Sequence, residues 1–424
     1  MKPGTMTGTM ASMTLALLAL FGHECPLVTA FSGPSTSYAS QTQIGTLNLA
    51  RPLQTRLPTA VPKTQLFATE ADAPPRNKYD NLIQWLLSSN GNSYISPKVK
   101  ILPSTRGGLA TGGYGMFANE DLPEGELLLR IPRDCCVTID DALNDMECGP
   151  AFQKLLEQAG SGADTVVIAG YLAKEYLLLK EYDRRLKAGE KPDGDAVMRR
   201  LSKIKFAPYL RTLPWERGVN AQEHVLFWED EDVDALLKGS LAYADAVDTR
   251  STVKYATTIL NGIIGPVIRK ARGEEEKVEE AGGFRFPWQE EEEKPSDEDE
   301  IVDGLEDAVR GAFVINLSRA FAAPSGADDG KEEDRLEPVL DMLQHSNTPN
   351  IKQKYTDDGS IEIMARGGIK SGEELFNKYK GEEDINMPYH KFFTRFGFVP
   401  GVTEPVANLI AERSSIFFPQ RAAV

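Results

Sequence analysis

Apolar and polar residues alternate from Ile361 to Ala365, with Ile361, Ile363 and Ala365 interleaved with Glu362 and Met364, the period-two pattern of a half-buried strand. The turn residues Asp357-Asp358-Gly359-Ser360 separate it from Ile351 to Tyr355, so the two runs are predicted to pair as a hairpin. A second turn, Lys370-Ser371-Gly372-Glu373, precedes a last predicted strand from Glu374 to Tyr379. Elsewhere the period lengthens. Lys78 to Leu87 shows apolar residues at helical spacing with Asn90-Gly91 as a stop. Ile168, Leu172, Tyr176 and Leu179 recur about every 3.6 residues behind Asp164, a candidate cap, and the basic end Lys180 to Lys187 suits a helix C-terminus. Lys98 to Pro103 predicts a strand, Gly112 to Ala118 a glycine turn running into the next, and Leu122 to Leu128 a Gly-Glu turn leading to an apolar strand that ends at Ile131-Pro132. Between about residues 141 and 310 the pattern is helical, and Ala308 to Phe321 reads as its last helix. Ala322 to Glu333 is predicted to be a loop, and Pro388 to Phe398 a short closing helix.

Composition restricts what this scaffold does. The 424 residues suffice for a sizeable core, and a formal charge of −16 argues against direct nucleic-acid binding, which needs a basic face. Of four cysteines, Cys25 is near the N-terminus and Cys135, Cys136 and Cys148 lie close together, which makes neither a disulfide framework nor a paired zinc pattern. No metal is predicted. Residues 11–21 form an apolar run behind Lys2 that is too short to span a bilayer and reads as the core of a signal peptide over residues 1–30; a buried helix is the weaker alternative. From Phe31 to Thr69 there is no acidic residue, while Arg51, Arg56 and Lys63 stand among many Ser and Thr, so residues 31–76 read as a disordered transit segment. The two-part leader resembles that of algae with complex plastids, making a plastid the expected destination and secretion the alternative, with no membrane attachment of the mature chain. Glu274 to Glu300 is rich in acid and poor in apolar residues, and a disordered loop is expected over about residues 272–300.

The chemistry concentrates in Leu336 to Tyr379. Asp341 and His345 interrupt an apolar segment, and an Asn-rich turn (Asn347, Pro349, Asn350) follows where a core strand would have continued. The order Asp341, Gln344-His345-Ser346, Pro349-Asn350 and then Gly372-Glu373-Glu374-Leu375 before Tyr379 resembles the C-terminal half of a SET methyltransferase domain. Gln344 stands where that family usually has Asn, with the same amide one methylene further out. Upstream, Gly113-Tyr114-Gly115 and the run to Ile131-Pro132 are similar to the family's opening segment. Pro208-Tyr209-Leu210 to Leu213-Pro214 and Ser318-Arg319-Ala320-Phe321 resemble markers of the Rubisco-type branch; read alone, the first is an apolar loop with turn prolines.

The resemblance covers about residues 79–400 and implies an α+β fold, the SET fold of small β-sheets with a knotted C-terminal segment and a large helical insert, here about residues 142–310 of a domain over 77–400. Residues 401–424 are expected to be a tail, and a substrate-docking domain like that of the relatives is expected to be missing. The resemblance also implies S-adenosylmethionine as cofactor and the lysine side chain of a protein as acceptor; the lack of cysteine beyond residue 148 points to a non-histone substrate, the leader to a plastid one, and a monomer is expected. It assigns catalysis to Tyr379, and cofactor binding to Gly113, Tyr114, Gly115, Arg319, Gln344 and His345. Asp341 and Phe396 are expected at the substrate. Phe396 replaces a family tyrosine. Methylation of histidine, or a degenerate fold kept as a binding module, are the alternatives. Direct displacement at a sulfonium requires alignment and an uncharged amine, whose free pKa near 10.4 must be overcome in a partly desolvated channel.

Overall fold

A computed structural model describes residues 77–89, 92–105, 113–160, 162–218, 223–274, 300–325, 332–379 and 387–399. The predicted signal peptide, transit segment and tail, and nearly all of the acidic loop, lie outside them. The chain begins with α1 (Asn77–Ser88), β1 (Tyr94–Ile95), β2 (Val99–Pro103), β3 (Tyr114–Ala118) and β4 (Leu127–Ile131). The helical region follows as α2 (Ile139–Leu143), α3 (Gly149–Ala159), α4 (Ala163–Lys187), α5 (Ala196–Leu201), α6 (Ala207–Leu210), α7 (Asp230–Leu237), α8 (Leu241–Arg272) and α9 (Leu305–Arg319). It gives way to β5 (Ala320–Pro324), β6 (Glu332–Leu336), β7 (Gln344–His345), β8 (Ile351–Tyr355), β9 (Ile361–Ala365), β10 (Phe376–Asn377) and α10 (Tyr389–Phe396).

The sheets are small. Four strands are ordered β1-β4-β9-β8, all antiparallel, and β2-β3, β5-β6 and β7-β10 are two-stranded, the last parallel. The β8–β9 hairpin has the register that its alternation predicts, with Ile361, Ile363 and Ala365 buried. These side chains share one apolar core with Leu128, Leu129 and Ile131 of β4 and with Val167, Ile168 and Leu172 of α4, so sheets and helical region stabilise each other.

Three expectations are corrected. Ala322 to Glu333 is not a loop throughout, because β5 and β6 pair from Ala320↔Leu336 to Pro324↔Glu332, and the preceding helix ends at Arg319. Asp164 is not the cap of α4; Gly162 precedes the helix and Asp164 lies in its first turn, where a carboxylate suits the positive end of the helix dipole. The last strand is confined to Phe376–Asn377. Its neighbours on the chain are satisfied otherwise: Asn350 Nδ2 donates to the Glu374 carbonyl (2.9 Å) and the Phe376 N–H donates to Asn350 Oδ1 (2.7 Å), so one side-chain amide substitutes for a strand.

The segment after Gly372 lies between β3 and β7. Ala118 N–H donates to the Glu373 carbonyl and Leu375 N–H to the Met116 carbonyl on one side, while Ser346 N–H donates to the Asn377 carbonyl on the other. The buried Glu374 side chain fixes this crossing to the β2–β3 end by accepting from Ser104 Oγ (2.6 Å), from the Thr105 N–H (2.9 Å) and from the Thr105 hydroxyl. Gly115 makes the room: a Cβ there would stand 2.2 Å from Glu374 Oε1. In the helical region, α4 buries Lys174 fully against Asp145 (2.5 Å), Glu175 (3.1 Å) and Glu147 (3.5 Å), and Arg200 pairs with the same two glutamates.

Two outcomes are expected. Gly115→Ala must displace a buried carboxylate held by three donors, and should lower stability to urea by about 1–3 kcal/mol, the scale of overpacking; an unchanged midpoint would show that Glu374 moves freely. Lys174→Met leaves three carboxylates facing one arginine, and should cost about 3–5 kcal/mol in the same measurement. A loss below about 1 kcal/mol would make the cluster no more than a surface pair.

Candidate functional site

The predicted residues come from five places in the chain: the β2–β3 end (Gly113, Tyr114, Gly115), the C-terminus of α9 (Arg319), β7 and the turn before it (Asp341, Gln344, His345), the segment after β10 (Tyr379) and α10 (Phe396). The fold brings them together. Gln344 Nε2 donates to the Tyr114 carbonyl (3.1 Å), and so stitches β7 to β3. The Gly113 carbonyl accepts from Ser104 N–H (2.7 Å), closing the β2–β3 end. The missing side chain of Gly115 makes room for Glu374.

His345 orients Tyr379. Its Nδ1 accepts from the Tyr379 backbone N–H (3.1 Å), which puts the ring proton on Nε2, 3.2 Å from Asn347 Oδ1. Both ring nitrogens are therefore engaged within the protein. The Tyr379 hydroxyl donates to the Leu343 carbonyl (3.0 Å), the ring of Phe396 lies 5.3 Å away between centroids, and Phe392 and Phe398 complete an aromatic wall around His345 and Tyr379. Burial pushes the Tyr379 hydroxyl up to about 12, with Arg319 opposing and Asp341 and Glu374 reinforcing, so it remains protonated at neutral pH.

Beneath it lies a buried ionic group. Arg319 Nη1 donates to the Asp341 carbonyl (2.9 Å) and to its Oδ2 (3.2 Å), and the Tyr209 hydroxyl donates to the same Oδ2 (3.0 Å). Burial pushes the Asp341 carboxyl up, offset in part by Arg319 and Tyr209. For Arg319 burial works against the charge, yet Asp341, Tyr379 and Tyr209 hold it above the ordinary arginine value. The turn that presents Asp341 starts at Val339 with φ 71° and ψ −42°, a strained conformation for a β-branched residue. Arg319 Nε, Asp341 Oδ1 and Asn377 Nδ2 are buried without a hydrogen-bond partner. Among the described residues, no group of three or more His, Cys, Asp or Glu is placed to hold a metal ion.

Several working residues carry no assignment from the sequence. Tyr209 stands inside a motif that reads as a lineage marker, and its hydroxyl role depends on a partner 132 positions away. Glu374 and Asn350 stand inside recognised motifs, but their side-chain contacts join segments that only the fold brings together.

A family model for the SET domain matches residues 113–380. The chain is similar to the N-lysine methyltransferase setd6 of Salmo salar, 26% identical over 311 residues, 70% of this chain and 53% of that protein. It is also similar to SETD6 of Mus musculus, 26% identical over 292 residues, 67% and 48% of the two chains. The chain thus spans about half the length of the curated relatives it matches. Among solved structures, Rubisco LSMT bound to AdoMet aligns with a TM-score of 0.47 at 16% identity, covering 78% of this chain and 57% of that one. The Gly115–Glu374 contact, the β7–β10 pairing and the His345–Tyr379 bond all fall inside the stretch that the family model matches, and the chain belongs to the SET-domain family.

Proposed function

We propose that the protein is an S-adenosylmethionine-dependent protein-lysine N-methyltransferase acting on a non-histone protein of a plastid. The observation that carries the reading is the placement of Tyr379: a buried, protonated hydroxyl fixed by the Leu343 carbonyl, with its backbone fixed by His345, above the Arg319–Asp341 pair. The relatives named N-lysine methyltransferases support the acceptor, and the two-part leader in residues 1–76 supports the compartment.

The cofactor supplies a methyl group bonded to a positively charged sulfur. The residues present fit such a group: Arg319 Nε and Asn377 Nδ2 are buried donors without partners, and Arg319 suits the carboxylate at its amino-acid end. On this reading Gly113, Tyr114 and Gly115 form one wall, and Gln344 holds that wall to the segment that His345 anchors. The Tyr379 hydroxyl donates its hydrogen bond to the Leu343 carbonyl, so its lone pairs remain to accept from the amine of the substrate and to oppose positive charge as it builds. With a pKa of about 12 it does not serve as a proton acceptor from the ammonium; the substrate lysine loses its proton to solvent before it enters. Phe396 and its aromatic neighbours exclude water on one side, and Asp341 holds Arg319 and Tyr209 in place beneath Tyr379.

Tyr379→Phe should cut turnover by roughly 10²-fold, the scale of one aligned hydrogen-bonding group worth about 3 kcal/mol, while S-adenosylmethionine affinity falls only slightly. Both enzymes should gain rate as pH rises towards the lysine pKa near 10.4, because Tyr379 stays protonated throughout. Equal turnover by the two proteins would remove Tyr379 from the chemistry, and a parallel loss of affinity would make it a cofactor ligand. For the compartment, residues 1–76 fused to a fluorescent protein should label plastids in an alga with complex plastids; fluorescence in the medium would contradict delivery there.

A further inference from the structure

The closing helix α10 is held at its C-terminal end by a residue from the helical region. The last carbonyls of a helix lack partners within it. In α10 the Gly397 N–H takes that of Phe393 (2.8 Å), and the Arg395 carbonyl accepts from His224 Nε2 (3.2 Å). His224 is wholly buried and stands at the start of a 3₁₀ turn, Val225–Phe227, where its Nδ1 accepts from the Leu226 N–H (3.2 Å). Accepting at Nδ1 puts the ring proton on Nε2, facing the Arg395 carbonyl. Burial pushes the imidazole down to about 4, opposed by the carbonyls of Arg395 and Thr394, so the ring stays neutral and both bonds are kept. The turn itself is fixed from α8. Arg250 Nη1 donates to the carbonyls of Val225 (3.2 Å) and Trp228 (2.7 Å), and Val225, Trp228 and Phe393 share an apolar cluster with Ala242 and Ala246.

The carbonyl that His224 holds belongs to the peptide joining Arg395 to Phe396. Fixing that peptide fixes the root of the Phe396 ring, whose centroid lies 5.3 Å from that of Tyr379 and 4.6 Å from that of Phe392. The Arg395 side chain reaches the other way and donates from Nε to the Leu317 carbonyl (3.3 Å), two residues before Arg319. We propose that His224 is a positioning residue for methyl transfer: by holding the end of α10 it sets the aromatic wall against Tyr379, where the acceptor side chain is confined. It acts through Phe396 and leaves the cofactor contacts alone. This rests on the methyltransferase reading above and extends it to a residue outside every motif that the sequence singles out. Capping the 3₁₀ turn is a second, purely structural duty of the same ring, and substitution separates the two.

His224→Asn keeps an oxygen that caps the turn but is too short to reach Arg395, whereas His224→Gln keeps a donor further out and gives up the cap. Full-length chains are assayed for transfer from tritiated S-adenosylmethionine into plastid protein extract and titrated calorimetrically with S-adenosylhomocysteine, and crystal structures of both variants locate Phe396. In His224→Asn, transfer at saturating S-adenosylmethionine should fall roughly tenfold, with the Phe396 ring displaced from Tyr379. Its dissociation constant for S-adenosylhomocysteine should stay within about twofold of the wild-type value. His224→Gln should transfer within about threefold of wild type, with Phe396 in place. Wild-type transfer by His224→Asn, or about a tenfold loss in a folded His224→Gln, would leave His224 as a structural cap and overturn the assignment. A loss of cofactor affinity as large as the loss of transfer would overturn it too. A wild-type chain that binds S-adenosylhomocysteine but transfers no methyl would overturn the methyltransferase reading and this inference together.

Discussion

The buried carboxylate of Asp341 is the point on which the site depends. It belongs to the turn before β7, yet its oxygen is held by Tyr209 from the helical region and by Arg319 from the end of α9. Taking such a charge out of water costs several kcal/mol, which the pair attraction offsets only if its geometry is kept. Removing one partner leaves the others buried and uncompensated, so the helical region is tied to the crossing by electrostatics as well as by the shared apolar core. The strained Val339 backbone is the local cost of aiming Asp341 inward.

A second constraint acts at the other end of the crossing. Glu374 can be buried beside β3 only because Gly115 has no side chain, and it is satisfied only because Ser104 and Thr105 close over it. That fixes the Glu374–Tyr379 segment between two strands, and the parallel pairing of Asn377 with His345 then sets the height of Tyr379. The Tyr379 hydroxyl is positioned by main-chain partners, the Leu343 carbonyl and the N–H that His345 accepts, which are stiffer supports than long side chains.

Much of this was legible in the sequence. Alternation placed the β8–β9 hairpin, the 3.6 period placed α1 and α4, and the motif order brought Asp341, His345 and Tyr379 to one site. What was not legible shares one cause: it depends on partners distant in sequence. The shortness of β10 follows from the Asn350 amide replacing a strand, and β5 from a pairing partner beyond residues 326–331. The role of Gln344 shows only when the Tyr114 carbonyl stands 3.1 Å away. Periodicity reports which face is buried; it does not report which buried polar atoms meet.

Transfer of a methyl group to the lysine of a protein is the function the site supports best. It is tested most directly by incubating the full chain with plastid protein extract and S-adenosylmethionine deuterated in its methyl group, then locating the label by tandem mass spectrometry. Deuterated methyl is expected on lysine Nζ, absent when the enzyme is omitted. Label found only on another residue type, or none above the enzyme-free control, would contradict it.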